Sequence, residues 1–287
     1  MISRASGGLS LDEALLRWEE EKEGTDARRL REAMGTRLDA MERSIVEAEE
    51  YRRSGRFVGH DGILLGRYVS QSRSLSGPFP LRACQIALAV ATYNAAMGRI
   101  VAAPTAGSCG ILPGLLFAYR EIFGAERDQL LGALIVSGGV GEVIARRATL
   151  AGAEGGCQAE CGAAGAMGAG ALVFLRGGTA EAVAHGAALL LKSVLGLICD
   201  PVAGLVEVPC IKRNGLISGL AVAAADMALA GIRSVIPPDE VVDAMAAVGR
   251  ALPEAFRETA RGGLAATPTG RSLRKTLAEE APDLEED

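Results

Sequence analysis

The sequence predicts an all-α fold: a compact multi-helix body with a long N-terminal helical arm and a functional site built from loops. Three observations carry this expectation. After Pro80 the chain presents seven apolar segments, near 81–98, 111–123, 127–150, 158–176, 179–197, 211–233 and 239–259, each long enough for a helix and rich in Ala and Leu. None alternates apolar with polar residues or concentrates β-branched and aromatic types, as a strand does. Aromatic residues are only 4% of the chain while Ala and Gly abound, so the helices are expected to approach closely with little aromatic bulk between them.

Taken in order, Ser10-Leu11-Asp12-Glu13 reads as a capping box opening a short helix. A second helix is expected from about Thr25 to Ser54. Its apolar residues Leu30, Met34, Leu38, Met41 and Ile45 step by three or four, forming one stripe that packs on the main body or on a partner chain. Residues 1–54 are therefore read as an arm and 55–287 as the main body. From Arg56 to Pro80, glycines and prolines punctuate loops around one short element near Ile63 to Val69. The tail from Gly262 to Asp287 is polar and punctuated, then acidic, with an end expected to fray.

With 287 residues, 49% hydrophobic and 23% charged, the composition is globular rather than disordered. The net charge of −5, without a basic patch or an aromatic-basic stripe, argues against a nucleic-acid partner. The uncharged run Ile100–Tyr119 has the length of a membrane span. Pro104, Thr105, Ser108, Pro113 and several glycines interrupt it, so it reads as a buried loop entering a helix, and no membrane partner is expected. Met1 to Leu30 holds no apolar core of a signal peptide, so the expected location is the cytoplasm.

Six cysteines in such a compartment do not form a disulfide scaffold. Each alone reads as a small core residue. Three connections change that reading: Ala103-Pro104-Thr105-Ala106-Gly107-Ser108-Cys109-Gly110, then Gly152-Ala153-Glu154-Gly155-Gly156-Cys157-Gln158, then Cys199-Asp200-Pro201-Val202-Ala203-Gly204 through Val208-Pro209-Cys210. Loops with this much Gly and Pro bring backbone close to a ligand and give thiols fixed directions. Cys157, Cys199 and Cys210 could hold three irons of an iron–sulfur cluster and leave a fourth open as a Lewis acid, or they could be buried structural thiols.

The chain resembles the α subunit of the iron–sulfur-dependent L-serine dehydratases. The resemblance rests on Ser74-Leu75-Ser76-Gly77, Asn94-Ala95-Ala96-Met97-Gly98, Ala103 to Ser108, Gly155-Gly156-Cys157-Gln158-Ala159-Glu160, the whole of Cys199 to Cys210, and Arg261-Gly262-Gly263-Leu264-Ala265. It runs from about residue 55 to the Ala-Ala-Thr-Pro-Thr-Gly stretch at 265–270. It implies a [4Fe–4S] cluster ligated by Cys157, Cys199 and Cys210, acting on L-serine. Cys161, one helical turn after Cys157, is not required by the family and reads as a packed thiol. Cys109 is a pocket-lining candidate and Cys84 a core residue.

The chemistry implied is loss of the β-hydroxyl and an α-proton, after which the aminoacrylate becomes an imine and hydrolyses to pyruvate and ammonia. Ser76, Asn94, Thr105 and Ser108 are the substrate-binding candidates, with backbone N–H groups of the 105–110 loop near the carboxylate. No general base is identifiable. His185 reads as structural and His60 as a loop residue, while Lys212 and Arg213 are better placed for electrostatics. The family's second module carries a Ser-His-Thr motif that this sequence lacks, so a β subunit is the expected partner and a possible home for the base. The same scaffold would suit cysteine desulfidation. A non-catalytic cluster carrier and a structural zinc site are the readings from other classes. A pyridoxal-phosphate enzyme is disfavoured, because none of Lys22, Lys192, Lys212 and Lys275 adjoins a phosphate loop in a strand–helix setting.

Overall fold

The computed structural model describes residues 8–50, 54–71 and 74–280. They form twelve α-helices and no strand; the only sheet-like contact among the described residues is a parallel bridge between Cys199 and Arg257. The helices are α1 (Leu11–Glu23), α2 (Ala27–Glu50), α3 (Asp61–Val69), α4 (Pro78–Ala95), α5 (Ile111–Phe123), α6 (Arg127–Arg147), the single turn α7 (Gly152–Gly155), α8 (Ala163–Leu175), α9 (Ala180–Ser193), α10 (Cys210–Leu229), α11 (Pro238–Ala251) and α12 (Pro268–Glu280). The expected all-α class is what the chain adopts.

At the start of α1, Glu13 Oε2 accepts from the Ser10 N–H at 3.1 Å, as the sequence pattern implied. The stripe on α2 buries Leu38, Met41 and Ile45 in the main core, with Leu30 and Met34 packed at its margin. The arm therefore lies against the body, on α1, α4, α5 and α6. At the centre runs α8, whose residues from Ala163 to Val173 are all buried between α5, α6, α9 and α10. Its Ala-Gly sequence is what lets four helices reach it: a Cβ on Gly168 would stand 2.3 Å from Leu115 Cδ1, and one on Gly165 2.6 Å from Ile217 Cγ2.

The run Ile100–Tyr119 is a loop, a tight turn at Ala106–Ser108 and then the buried helix α5. Among the described helices, α6 is the one long and apolar enough to cross a membrane, and more than half of its apolar stretch is buried in this core.

Two expectations need correction. The segment 239–259 is not one helix: α11 stops at Ala251, because Leu252 precedes Pro253 and turns extended (φ −64°, ψ 132°). The chain then passes beside Cys199, whose N–H donates to the Phe256 carbonyl while its own carbonyl accepts from the Glu258 N–H, both at 2.9 Å. The tail is not merely punctuated. Thr267 caps a helix by accepting from the Gly270 N–H at 3.1 Å, Pro268 takes its first position, and α12 docks on the turn Val202–Gly204. The expected frayed end, 281–287, lies outside the described residues.

Candidate metal centre

Three loop segments converge at the entrances of α8 and α10. Gly156 takes φ +75°, and a Cβ there would meet the Leu197 carbonyl at 2.8 Å, so only glycine admits the turn that delivers Cys157. Gln158, fully buried, braces that turn. It donates to the carbonyls of Gly155 (2.9 Å) and Met245 (3.1 Å) and accepts from the Gly196 N–H at 3.0 Å. A π-helical turn over Gln158–Gly162 then leads into α8 and turns Glu160 and Cys161 toward the same pocket.

The Cys199–Cys210 connection is pinned from three sides. Buried Glu207 accepts the N–H groups of Arg56 (2.8 Å), Phe57 (2.8 Å) and Val58 (3.1 Å). Asp200, also buried, accepts from Arg213 Nη2 at 2.9 Å and from the Leu264 N–H at 2.8 Å. Gly263, at φ +57°, allows that second approach, since its Cβ would stand 2.4 Å from Asp200 Oδ2. Asn214, one turn into α10, donates to the carbonyls of Gly107 (2.8 Å) and Cys210 (2.9 Å) and accepts from the Gly110 N–H at 2.9 Å. It bolts the Thr105 loop to the helix that Cys210 begins.

Cys157, Cys199 and Cys210 are all buried; Cys157 and Cys210 both raise Cys199, and Cys157 raises Cys210. The Cys157 thiol is held below its ordinary value by its hydrogen bond with Cys161 and by the Arg213 guanidinium, against the opposing effect of burial. Cys161 is pushed well up by that same hydrogen bond and by burial. Burial and the charges of Glu160 and Cys157 push Cys199 far up. Cys210 is pushed up to about 12 by burial and then by Cys157 and Glu160. Burial and neighbouring negative charge thus make Cys199 and Cys210 hold their protons more tightly than a free thiol does. Buried thiols at two helix entrances, with an arginine facing one of them, fit a thiolate-ligated iron centre.

Glu160 bridges the thiols and the Thr105 loop. Its Oε1 accepts from Thr105 Oγ1 at 2.8 Å, and its Oε2 from the Cys199 thiol at 3.6 Å. Its carboxyl lies above the usual range because burial outweighs the Thr105 hydrogen bond and because Glu258 is near. Glu160, Cys199 and Glu258 each offer a ligand atom within 4.8 Å of the others. Glu258 is exposed and takes a left-handed backbone conformation (φ 63°).

Of the substrate-binding candidates, Thr105 touches this group directly. Ser108 is fully buried beneath it, its hydroxyl 3.2 Å from Thr105 Oγ1 and 3.3 Å from the Thr105 carbonyl. Asn94 supports the same loop by donating to the Ala106 carbonyl at 3.2 Å. Ser76 is exposed before the start of α4, near the Phe79–Phe123 contact, whereas Asn94 lies at the other end of that helix. In this chain Ser76 is not brought to the group. The N–H groups of Ser108 and Cys109 are engaged within the loop and that of Gly110 by Asn214.

Cys109 is buried in the main core, and Cys84 packs beside Gly215 of α10. His185 accepts from the Ser234 N–H at 3.3 Å, while His60 is exposed ahead of α3. Lys212 pairs with Asp61 at 2.7 Å, but Arg213 faces the thiols. Glu160, Glu258, Asp200, Glu207 and Asn214 were not singled out from the sequence. Glu160 alone carried a usable signal: it follows Cys157 by three positions, which places the two on one helical face.

Helix-entrance thiols and a half-buried carboxylate held by a neighbouring loop define a helical protein built around a candidate metal-dependent reaction centre. The chain belongs to the serine dehydratase alpha chain family, whose sequence model matches residues 6–265. Among similar proteins, the "Probable L-serine dehydratase, alpha chain" of Bacillus subtilis (strain 168) is 53% identical over 219 residues, 76% of this chain and 73% of the relative. The like-named protein of Latilactobacillus sakei is 52% identical over 197 residues, 69% of this chain and 94% of the relative. The "L-serine dehydratase" of Streptomyces coelicolor (strain ATCC BAA-471 / A3(2) / M145) is longer: it is 44% identical over 181 residues, 62% of this chain but 40% of that protein.

Proposed function

We propose that this chain is the α subunit of a two-chain L-serine dehydratase that converts L-serine to pyruvate and ammonia, with a [4Fe–4S] cluster held by Cys157, Cys199 and Cys210. What supports the reading is that Cys157, Cys199 and Cys210 are all buried, that Cys157 and Cys210 both act on Cys199, and that Glu160 joins Cys199 to Thr105. The cluster, when bound, would supply a Lewis acid that makes the β-hydroxyl a better leaving group.

The chain's own residues do the rest. Arg213 balances thiolate charge at Cys157 and, through Asp200, holds the Cys199 loop against the Gly263–Leu264 turn. The Ala106 and Gly107 N–H groups are donors for the substrate carboxylate, on a loop kept rigid by Asn94, Ser108 and Asn214. Fixing the substrate in this way presents its α-proton in one direction. No base for this proton is identified on this chain, whose two histidines are engaged with Ser234 or exposed ahead of α3, and a β subunit is its proposed home. The alpha chain names of the relatives, and the longer proteins of which this chain matches only part, support a second module.

Turnover of L-serine, L-threonine and L-cysteine is to be measured without oxygen, for the chain alone and with a β subunit. Pyruvate formation from L-serine only when both chains are present is the expected outcome. Full turnover by this chain alone would remove the two-chain reading, and preference for L-cysteine would replace dehydration with desulfidation.

A further inference from the structure

L-Serine brings three polar groups to a site: a hydroxyl, a carboxylate and an α-ammonium. The hydroxyl is matched by the proposed Lewis acid and the carboxylate by the Thr105 loop, which leaves the ammonium to be met by an acceptor of opposite charge. Glu160 stands between those two partners. One of its oxygens is fixed by the Thr105 hydroxyl at 2.8 Å, and the other faces Cys199 Sγ at 3.6 Å. When Cys199 is bound as a thiolate its S–H is gone. Oε2 then loses that donor and is open to another.

Glu258 adds a second carboxylate within 4.8 Å. Arg213 is already committed to Asp200 at 2.9 Å, to the Ile198 carbonyl at 2.8 Å and to Cys157. Glu160 and Glu258, one half-buried and the other exposed at the rim, set two carboxylates close together, and a cation placed between them is favoured by both. The substrate supplies that cation. Resting on the dehydratase reading, we propose that Glu160 binds the α-ammonium of L-serine and so selects α-amino acids over the corresponding hydroxy acids. Thr105 is then a positioning residue that aims this carboxylate.

The full chain, co-expressed with its β subunit and loaded with cluster without oxygen, is titrated with L-serine and with 3-hydroxypropanoate, which lacks only the ammonium. Binding is read from the change in the electron paramagnetic resonance spectrum of the cluster after one-electron reduction by dithionite, once iron and acid-labile sulfide have been counted. Glu160→Gln should weaken L-serine by about ten- to a hundredfold, the range of a charge-assisted hydrogen bond. It should leave 3-hydroxypropanoate within about twofold. Equal weakening of both ligands, or of neither, overturns the proposal. So does lost turnover with unchanged L-serine affinity, which would make Glu160 the proton acceptor instead.

Should Glu160→Gln fail to hold the cluster, Thr105→Val decides. It should weaken L-serine more than 3-hydroxypropanoate, and an equal effect on both overturns the assignment. A wild-type chain that holds no cluster, or whose spectrum ignores L-serine, contradicts the dehydratase reading itself. A serine-binding wild type whose preference survives the substitutions contradicts this inference alone.

Discussion

Glu207 shows how one side chain can hold a reactive loop in place. It sits inside the Cys199–Cys210 segment, yet its three partners are backbone N–H groups about 150 positions earlier. Glu207→Gln keeps the shape but turns a donating amide toward those N–H groups. It should cost about 2–4 kcal/mol, read as a lower urea midpoint of the metal-free chain. A change under about 0.5 kcal/mol would mean that the anchor is not used. The cysteines themselves were legible as words in the sequence, because thiols in Gly/Pro loops are rare and chemically marked. The residues that orient them were not. Glu207, Asp200 and Asn214 are common polar types whose roles depend on partners brought near only by folding. Ser76 shows the converse: a residue inside a recognisable word that the folded chain sets at the far end of a helix from Asn94.

At the scale of elements, α1 was legible from its capping box, α2 from apolar residues every three or four positions, and the helices from α4 to α10, apart from the single turn α7, from long Ala- and Leu-rich segments. The failures came where punctuation outweighed periodicity. Thr267-Pro268 reads as a loop when scanned for breakers and as a helix start when scanned for caps; α12 follows the second reading. Leu252-Pro253 hid the break that frees residues 253–267 to run past Cys199. Close packing of α4 on α5 depends on glycine: a Cβ on Gly114 would stand 2.5 Å from the Ala83 carbonyl oxygen. That neighbour is backbone and cannot rotate away. Gly114→Ala should therefore cost about 2 kcal/mol or more through overpacking, despite the higher helix propensity of Ala. A thermal scan showing unchanged or raised stability would contradict the close approach of these helices.

For the whole molecule, the sequence left open whether the arm packs on the body or on another chain. Leu38 and Met41 answer this by lying in the same core as Leu115 and Leu134. Leu38→Ala should cost about 3 kcal/mol in denaturant unfolding of the isolated chain, as a core truncation does. A loss below about 0.5 kcal/mol would detach the arm from the core. The division at 54 remains a proposal about ancestry and motif content: the recognisable words begin near residue 55, while the family match already begins at residue 6.

The central claim is that three particular thiols hold the reactive centre, and counting iron and acid-labile sulfide per chain tests it most directly. The chain is purified without oxygen and reconstituted, as wild type and as Cys157→Ala, Cys199→Ala and Cys210→Ala, with Cys84→Ala and Cys161→Ala alongside. The account predicts a cluster on the wild type and on the last two variants, and its loss from the first three. A wild type without iron, or retention by the Cys157, Cys199 and Cys210 variants, would contradict it.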